Sequence, residues 1–366
     1  MKQYPLVDLA AIHDELGDEL ETAVLEVVRS QRFIGGERVA DFERAFADYL
    51  GAMNAIGVAN GTDAIELSLK ALNLAPGAEA LVPANTFIAT AEAVVAAGLV
   101  PRFVDVDAKS GLIDLASCEE RLSARTQVVV PVHLYGRMVD MDQVMQFAES
   151  HRLVVIEDAA QAHGARRNGR SAGTVGRVGC FSFYPGKNLG AFGDAGAVVT
   201  DDRELADRIR LMRDHGRRGR YNHVIVGVNS RLDPIQAAVL SVKLPHLERW
   251  NSQRRQAAKW YRRALPADLL DYVSSEPEGD VHHLFPIISE RRDVLAKILA
   301  KAGIQTGIHY EQPLPRAPAF SDARDHCPAA EHRARLQLSL PMHPHLTQED
   351  VREIAGTVAA ASMMTA

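Results

Sequence analysis

Two stretches decide the fold: residues 154–164 read VVIEDAAQAHG, and residues 180–190 read CFSFYPGKNLG. Each begins as a short run of apolar, β-branched or aromatic residues, which is the pattern of a buried strand, and then turns polar or glycine-rich. Asp158 and Lys187 therefore fall at the ends of two predicted strands. In sheets of buried parallel strands, ligands collect at the carboxyl ends of the strands, so both side chains are candidates for a ligand site.

The same alternation of strand and helix patterns extends outward from these stretches over the first two thirds of the chain. Strands are predicted at residues 55–59, 81–82, 100–106, 128–133, 153–157, 180–183 and 197–200. Helices are predicted between several of them, at residues 62–72, 88–97, 141–151 and 204–213. This order favours an α/β fold with a mostly parallel central sheet and helices on both faces.

The pattern changes after Asp233-Pro234, which predict the start of a long helix that reaches the 260s with an interruption near Pro245. We place the domain boundary there, giving a large α/β domain of residues 1–245 and a small α+β domain of residues 246–366. The small domain is predicted to hold a strand at 283–288 and a helix at 292–302. A closing helix begins at Thr347, with Asp350 three residues on.

Composition excludes several classes of protein. The 366 residues are 47% hydrophobic and 24% charged, which is typical of a globular protein. The formal net charge is -6, so the chain lacks the net positive charge expected of a protein that binds nucleic acid. Three cysteines without a CxxC pair suggest neither a disulfide framework nor a zinc site, so no metal is expected. No signal peptide or apolar run of membrane-spanning length is evident. We therefore expect a cytoplasmic protein that does not act at a membrane.

Asp158 and Lys187 make a chemically meaningful pair. An acid at a strand end is by itself more often a turn former or helix cap, and most lysines are solvated. Together, however, they match the needs of pyridoxal 5′-phosphate, which requires an anion beside its ring nitrogen and an amine that can form an imine. Aromatic and glycine neighbours would lower the pKa of Lys187 and favour the neutral nucleophile.

A phosphate cradle is predicted where the strand 55–59 turns into a helix, at Asn60-Gly61-Thr62-Asp63-Ala64. Backbone N–H groups at a helix N-terminus bind phosphate, although the same residues also describe an ordinary turn and cap. Ser182 could add a hydroxyl from the opposite side. Phe87 follows another predicted strand and could lie flat against a pyridine ring, although a core phenylalanine is the ordinary alternative.

Six stretches together resemble the DegT/DnrJ/EryC1/StrS sugar aminotransferases, and the resemblance covers nearly the whole chain. They are FIGG at 33–36, ANGTDA at 59–64, EDAAQAHG at 157–164, SFYPGKNLG at 182–190, NSRLD at 229–233 and GIHY at 307–310. The resemblance implies the fold-type I, aspartate aminotransferase-like architecture.

The resemblance also implies roles for individual residues. Lys187 forms the Schiff base with the cofactor and then acts as the general acid and base. Asp158 pairs with the pyridine nitrogen. The remaining predicted cofactor contacts are Gln161 at the ring hydroxyl, Phe87 at the ring, and Gly61, Thr62, Asp63 and Ser182 at the phosphate. Asn229 would reach the phosphate of the neighbouring subunit, which implies a homodimer with shared active sites. Pyridoxamine 5′-phosphate would form in the first half of a two-step transfer from glutamate.

The predicted acceptor is a keto sugar linked to a nucleotide, with Tyr184, His309 and Tyr310 as candidate sugar contacts. NSRLD combined with GIHY looks most like members that aminate the 3-keto position of dTDP-linked deoxysugars in antibiotic or surface-glycan pathways. A C4-aminating enzyme and a non-catalytic cofactor-binding regulator are the alternatives. After Tyr310 the chain departs from the family pattern, because Glu311 stands where relatives often carry proline.

Overall fold

The computed structural model describes residues 2–271 and 279–365. Its strands are β1 Asn54–Val58, β2 Glu79–Pro83, β3 Val100–Val104, β4 Thr126–Val129, β5 Val154–Asp158, β6 Arg166–Arg167, β7 Arg170–Ser171, β8 Val178–Ser182, β9 Gly196–Thr200, β10 Arg217–Arg218, β11 Asn222–His223, β12 Phe285–Ile288 and β13 Gln337–Leu340. Its helices are α1 Leu9–Ser30, α2 Glu37–Leu50, α3 Gly61–Ala71, α4 Ala89–Ala96, α5 Leu115–Arg121, α6 Met141–His151, α7 Arg203–Met212, α8 Pro234–Lys243, α9 Leu247–Ala264, α10 Arg292–Lys301, α11 Pro328–Leu336 and α12 Gln348–Thr365.

The first nine strands include the seven of a central sheet, which has the order β1-β9-β8-β5-β4-β2-β3. All pairs are parallel except those of β9, which runs antiparallel to both β1 and β8. Each strand predicted from the sequence in this region is present, so the prediction of a mostly parallel α/β sheet is confirmed. The order places β5 beside β8, and their carboxyl ends bring the two decisive stretches together.

Both faces of the sheet are covered. Successive residues of a strand point to opposite faces, so each strand contributes side chains to both. Val155 belongs to one apolar cluster and Ile156 to another, and Val199 and Val198 divide in the same way. All four side chains are buried. Apolar residues on both faces are the mark of a sheet enclosed between helices, which makes the strand ends the natural place for a ligand.

The helices in the middle and at the end of the chain begin where the sequence predicts. Pro234 opens α8, and a short 3-10 turn at Leu244–His246 separates it from α9. Before α12, the Asp350 amide donates to the Thr347 hydroxyl at 3.2 Å and the Thr347 amide donates to the Asp350 carboxylate at 2.9 Å. These reciprocal bonds form the predicted capping box, with aspartate in place of glutamate.

The C-terminal part packs around the antiparallel pair β12 and β13, with α9, α10 and α12 enclosing one apolar cluster. The domain boundary remains a prediction, but the N-terminal segment joins this cluster, since Tyr4 is buried in it and pairs with Ile304. Helices α1 and α2, which the sequence analysis did not predict, pack against α8. Within the described residues, no helix combines the length and apolarity needed to cross a bilayer.

Candidate active site

A cavity of about 480 Å³ lies at the carboxyl ends of β5 and β8. Asp158 is the last residue of β5, and Lys187 follows β8 by one tight turn, so the sheet order brings both into the cavity wall. The wall also contains Gln161, Ser182 and Tyr184 from the same two stretches, and predicted residues from three other regions: Gly61, Thr62, Phe87, His309 and Tyr310. The structure thus gathers residues that are more than 240 positions apart in the sequence.

Lys187 is half-buried and lies at the end of a tight turn. Its backbone N–H donates to the Tyr184 carbonyl at 2.8 Å, which closes the turn after β8. Burial lowers the pKa of Lys187 to about 8, against the opposing attraction of Asp158. A lysine in this state carries an appreciable neutral fraction near physiological pH, which is what imine formation needs.

Asp158 is buried, and each of its carboxylate oxygens accepts a hydrogen bond. The Thr90 hydroxyl donates to Oδ2 at 2.8 Å, and the Ala160 amide donates to Oδ1 at 3.1 Å. Burial nevertheless raises the pKa of Asp158, because these bonds and the charge of Lys187 do not fully replace water. A cationic ring nitrogen beside this carboxylate would favour its charged form, so the environment fits the pyridine ring of pyridoxal phosphate.

The neighbouring acid, Glu157, has a structural role that the sequence analysis missed. It is fully buried, and its carboxylate accepts three backbone N–H bonds of 2.6–2.8 Å from Gly173, Val175 and Gly176. His133 adds a bond of 2.8 Å through Nε2. Burial opposes ionisation, but the bonds from His133 and the backbone amides lower the pKa of Glu157 overall. This network fixes the end of β5.

The N-terminus of α3 forms the phosphate end of the cavity. The Asn60 side chain caps the helix by accepting from the Asp63 amide at 2.8 Å, and the Asn60 carbonyl accepts from the Ala64 amide. The amides of Gly61 and Thr62 stand before the first hydrogen bond of the helix itself and are free to bind an anion. The carboxylate of Asp63 does not line the cavity, so a phosphate contact by Asp63 remains a prediction without support from the geometry.

Gly61 also shows how closely this end of the cavity is built. A Cβ atom at Gly61 would lie 2.6 Å from Cβ of Ser182, so no larger residue fits between α3 and β8. The Ser182 hydroxyl accepts from the Tyr184 amide at 3.3 Å, which leaves its proton for an acceptor in the cavity. The helix N-terminus and this hydroxyl together fit a phosphate group.

Gln161 and Tyr310 form one wall of the cavity as a hydrogen-bonded pair. The Tyr135 amide donates to Gln161 Oε1 at 2.7 Å, and Gln161 Nε2 donates to the Tyr310 hydroxyl at 2.9 Å. The Tyr310 ring lies 5.6 Å from the ring of Phe87, centroid to centroid. The C-terminal part of the chain therefore touches, through Tyr310, the residues predicted to contact the cofactor ring.

His309 and Tyr184 stand at the substrate side. His309 Nδ1 lies 2.9 Å from the Ser339 hydroxyl, and burial, aided by the charge of Lys187, lowers the pKa of His309 to about 4. The imidazole is consequently neutral. Tyr184 is 60% exposed, which leaves its ring free to meet a substrate.

Asn229, like Asp63, is a predicted site residue that does not line the cavity. It is exposed and pairs through its backbone with Asp214. Conversely, the structure brings in residues that the sequence analysis did not single out: Leu6, Val7, Asp194 and His283. Only tertiary packing reveals them, because none follows a strand of the central sheet directly. Among the described residues there is no group of three or more metal-binding side chains.

A lysine and an acid at neighbouring strand ends, with a helix N-terminus at the far end of their cavity, define a pyridoxal-phosphate enzyme of fold type I. Comparison with known proteins agrees with this class. The model of the DegT/DnrJ/EryC1/StrS aminotransferase family matches residues 14–359. The chain belongs to this family, which confirms the prediction from its six motifs.

Similar proteins align over almost their whole length. The chain is 42% identical to "Pleiotropic regulatory protein" of Geobacillus stearothermophilus, with 97% of each chain covered. It is 43% identical to dTDP-3-amino-3,4,6-trideoxy-alpha-D-glucose transaminase of Streptomyces venezuelae, covering 97% of this chain and 95% of that one. The crystal structure of S. venezuelae DesV in complex with a ketimine intermediate superposes with a TM-score of 0.95 at 41% identity, covering 99% of both chains. The protein is therefore an aminotransferase, and its cofactor is pyridoxal 5′-phosphate.

Proposed function

We propose that this enzyme moves an amino group from glutamate to the 3-keto position of a deoxyhexose linked to dTDP. The observation that carries the proposal is the single cavity in which Lys187 and Asp158 face His309 and Tyr310. The first pair supplies the chemistry of amino transfer, and the second presents polar groups to a sugar. The name of the S. venezuelae relative supports this acceptor, since it describes an enzyme for a 3-amino deoxysugar on dTDP.

When bound, pyridoxal phosphate supplies an electron sink, and the residues of the chain supply position and proton transfer. The amides of Gly61 and Thr62 and the Ser182 hydroxyl hold the phosphate. Asp158 keeps the ring nitrogen protonated. Once its amine is free, Lys187 takes the proton from the α-carbon of the amino donor at Nζ and later delivers a proton to the sugar carbon that receives nitrogen. The lowered pKa of Lys187 suits both directions of this transfer.

The acceptor side depends on groups that stay neutral. Because His309 is neutral and Tyr310 keeps its proton, since burial raises the pKa of its phenol, both bind sugar hydroxyl groups without adding charge. Phe87 and Tyr184, both largely exposed, offer ring surfaces to the apolar face of a deoxysugar. Their exposure also leaves the cavity open for a nucleotide that extends beyond it.

We further propose that the working unit is a homodimer whose second copy completes each site. Asn229 is exposed in the single chain, and its neighbours Val226 and Val228 are 94% and 37% exposed. An apolar segment with this exposure is costly in water and is typical of a contact surface. A second copy that covers it would bring Asn229 to the phosphate end of the opposite cavity, as the family resemblance implies.

Mixing two inactive variants tests the shared site. In a hybrid of Lys187→Ala and Asn229→Ala subunits, one site combines an intact lysine with an intact asparagine from the other chain. Random exchange should therefore restore about a quarter of the wild-type sites. If Asn229 served its own chain, no hybrid would contain an intact site and the mixture would stay inactive.

The acceptor is tested with purified enzyme and a panel of 3-amino and 4-amino sugars on dTDP and UDP, each with 2-oxoglutarate, followed by mass spectrometry of the nucleotide sugar. We expect deamination of the dTDP-linked 3-amino deoxysugar and formation of glutamate. If only the 4-amino sugars were turned over, the position of amination would be assigned to C4 instead of C3. Binding of the cofactor without turnover of any sugar or glutamate would favour a regulator over an enzyme.

We also propose that the enzyme works in the cytoplasm. Cys118, Cys180 and Cys327 are buried and free, as expected for a reducing compartment. Fractionation of the source cells with an antibody against the chain would test this location.

A further inference from the structure

Thr86 and Thr90 are two buried hydroxyl residues of the cavity wall. They flank the turn that leads into α4, in which the Thr90 amide donates to the Phe87 carbonyl at 3.2 Å. Phe87 is the candidate for contact with the cofactor ring. The same turn therefore carries an aromatic side chain and two hydroxyl groups of the cavity wall.

The Thr90 hydroxyl is placed at the carboxylate of Asp158. It donates to Oδ2 at 2.8 Å, while the Ala160 amide donates to Oδ1 at 3.1 Å. A threonine hydroxyl in a helix commonly bonds to a main-chain carbonyl of the preceding turn, but that of Thr90 reaches across to the end of β5. Because the two oxygens of Asp158 are bound from different segments, the carboxylate has a fixed rotation about its Cβ–Cγ bond.

The direction of a second hydrogen bond follows from the first. Oγ1 of Thr86 lies 3.0 Å from Oγ1 of Thr90. A hydroxyl has one proton, and the proton of Thr90 is used on Asp158, since a carboxylate only accepts. Thr86 is therefore the donor to Thr90. A hydroxyl that accepts one hydrogen bond becomes a better donor in the next, so the two threonines form a short relay that ends at Asp158.

This relay acts where the carboxylate needs support. Burial raises the pKa of Asp158, and the Thr90 hydroxyl opposes that rise most strongly, ahead of the Ala160 amide and the attraction of Lys187 and His133. A carboxyl group that kept its own proton could not hold a proton on the ring nitrogen of the cofactor. The charged form of Asp158 therefore depends on the hydroxyl.

We infer that Thr90, supported by Thr86, is a positioning residue for the cofactor: its hydroxyl holds the Asp158 carboxylate charged and in one rotation, ready to pair with the ring nitrogen. The inference goes beyond the proposed function, because it concerns the pyridine ring and is the same for every amino donor and every sugar.

The pKa of Asp158 is measured first, in the full-length enzyme freed of cofactor, from the ¹³C resonance of its labelled carboxyl group. The signal is assigned by its absence in Asp158→Asn. Thr90→Val removes the hydroxyl at nearly constant volume and should raise the pKa of Asp158 by about one to two units. Cys180 and Tyr310, which also feel the charge of Asp158, keep their protons during this titration because burial raises the pKa of each.

Two further variants separate the hydroxyl from the methyl group and test the direction of the relay. Thr90→Ser keeps the hydroxyl, so the pKa of Asp158 should stay within about half a unit of its wild-type value. Thr86→Val should raise the pKa of Asp158 by less than about one unit, because it weakens the donor without removing it. A fall in the pKa of Asp158 in Thr86→Val would show that Thr90 had donated to Thr86, and the relay would be wrong even if Thr90→Val failed to fold.

The loaded enzyme provides a spectroscopic signature. With pyridoxal phosphate labelled with ¹⁵N in its ring, wild type and Thr90→Ser should both show a protonated ring nitrogen at pH 7 to 8. In Thr90→Val the resonance should move toward the position of the unprotonated nitrogen, because a more basic Asp158 takes the shared proton. A ring nitrogen that is equally protonated in all three proteins would contradict the inference.

Ser68→Ala is the matched control, since it removes another buried hydroxyl beside the central sheet. Ser68 donates to the Ala64 carbonyl at 2.6 Å within its own helix, so its loss should leave the pKa of Asp158 unchanged. An equal rise in Ser68→Ala, an unchanged pKa in Thr90→Val, or a rise of more than about one unit in Thr90→Ser would reduce Thr90 to a packing residue. None of these measurements uses glutamate or a nucleotide sugar, so an error in the proposed acceptor would leave them unaffected.

Discussion

Two lysines lie in low-dielectric surroundings in this fold, and burial lowers the pKa of each to about 8. Lys187 lines a cavity and faces Asp158. Lys243, on α8, donates to the Gly190 carbonyl at 2.7 Å and lies 4.7 Å from the centre of the Phe192 ring. A lowered pKa therefore does not itself mark a nucleophile. Lys187 differs from Lys243 because it has space for a reactant beside it and an acid nearby.

The largest expected effect separates the two lysines directly. Lys187→Ala should reduce kcat by at least about 10³-fold, because both the covalent attachment and the proton transfer depend on its amine. Circular dichroism should show an unchanged fold. Borohydride reduction of the loaded wild-type enzyme, followed by peptide mapping, should place the cofactor on residue 187. Finding it on residue 243 would reverse the assignment.

The sequence was sufficient to find Lys187 and Asp158 because each follows an apolar strand, and strand ends meet at one edge of a parallel sheet. Lys243 and His283 could not be interpreted in this way. Lys243 sits in a helix whose packing is visible only in three dimensions, and His283 meets the catalytic turn through Asn188, which is 95 residues away in the sequence. Roles set by short sequence neighbourhoods were predictable, and roles set by tertiary hydrogen bonds were not.

Asp158→Asn tests the contribution of the acid that distinguishes the surroundings of Lys187 from those of Lys243. We expect kcat to fall by about 10²-fold or more, since a fixed charge at the reacting group is lost. The apoenzyme should become slightly more stable at pH 7 to 8. Burial raises the pKa of Asp158, so the ionised acid costs stability above its unfolded pKa, and asparagine removes that cost. Thermal unfolding of both apoenzymes measures this; a less stable variant would contradict the role of burial.

The pH dependence of cofactor capture gives a smaller effect. With a pKa of about 8, the neutral fraction of Lys187 grows about tenfold between pH 7 and pH 9. The rate at which apoenzyme and pyridoxal phosphate develop yellow colour should rise accordingly and level off above pH 9. A rate that still climbs toward pH 10.5 would show an amine that is not desolvated.

The smallest effect on catalysis is expected at the second lysine. Lys243→Met keeps the length of the side chain and should change kcat by less than about threefold, because Lys243 is not among the residues that line the cavity of Lys187. At pH 7 two contributions to stability oppose each other. Losing a buried ammonium removes about 3 kcal/mol of burial cost, while the Gly190 carbonyl loses a bond worth about 1–3 kcal/mol. The free energy of unfolding should therefore rise by no more than about 2 kcal/mol.

The pH dependence of stability distinguishes this cancellation from a lysine that simply does nothing. Between pH 8 and about 10.4 the unfolded chain keeps the Lys243 proton while the folded chain has lost it, so wild-type stability rises with pH. Lys243→Met lacks this contribution, and its stability should fall behind wild type by about 1.4 kcal/mol per pH unit in that window. Urea unfolding at pH 8.0, 8.5, 9.0 and 9.5 measures the divergence. If the free energies of unfolding of wild type and Lys243→Met had the same pH dependence, the Lys243 ammonium would be solvated. Burial would then lower the pKa of Lys187 but not that of Lys243.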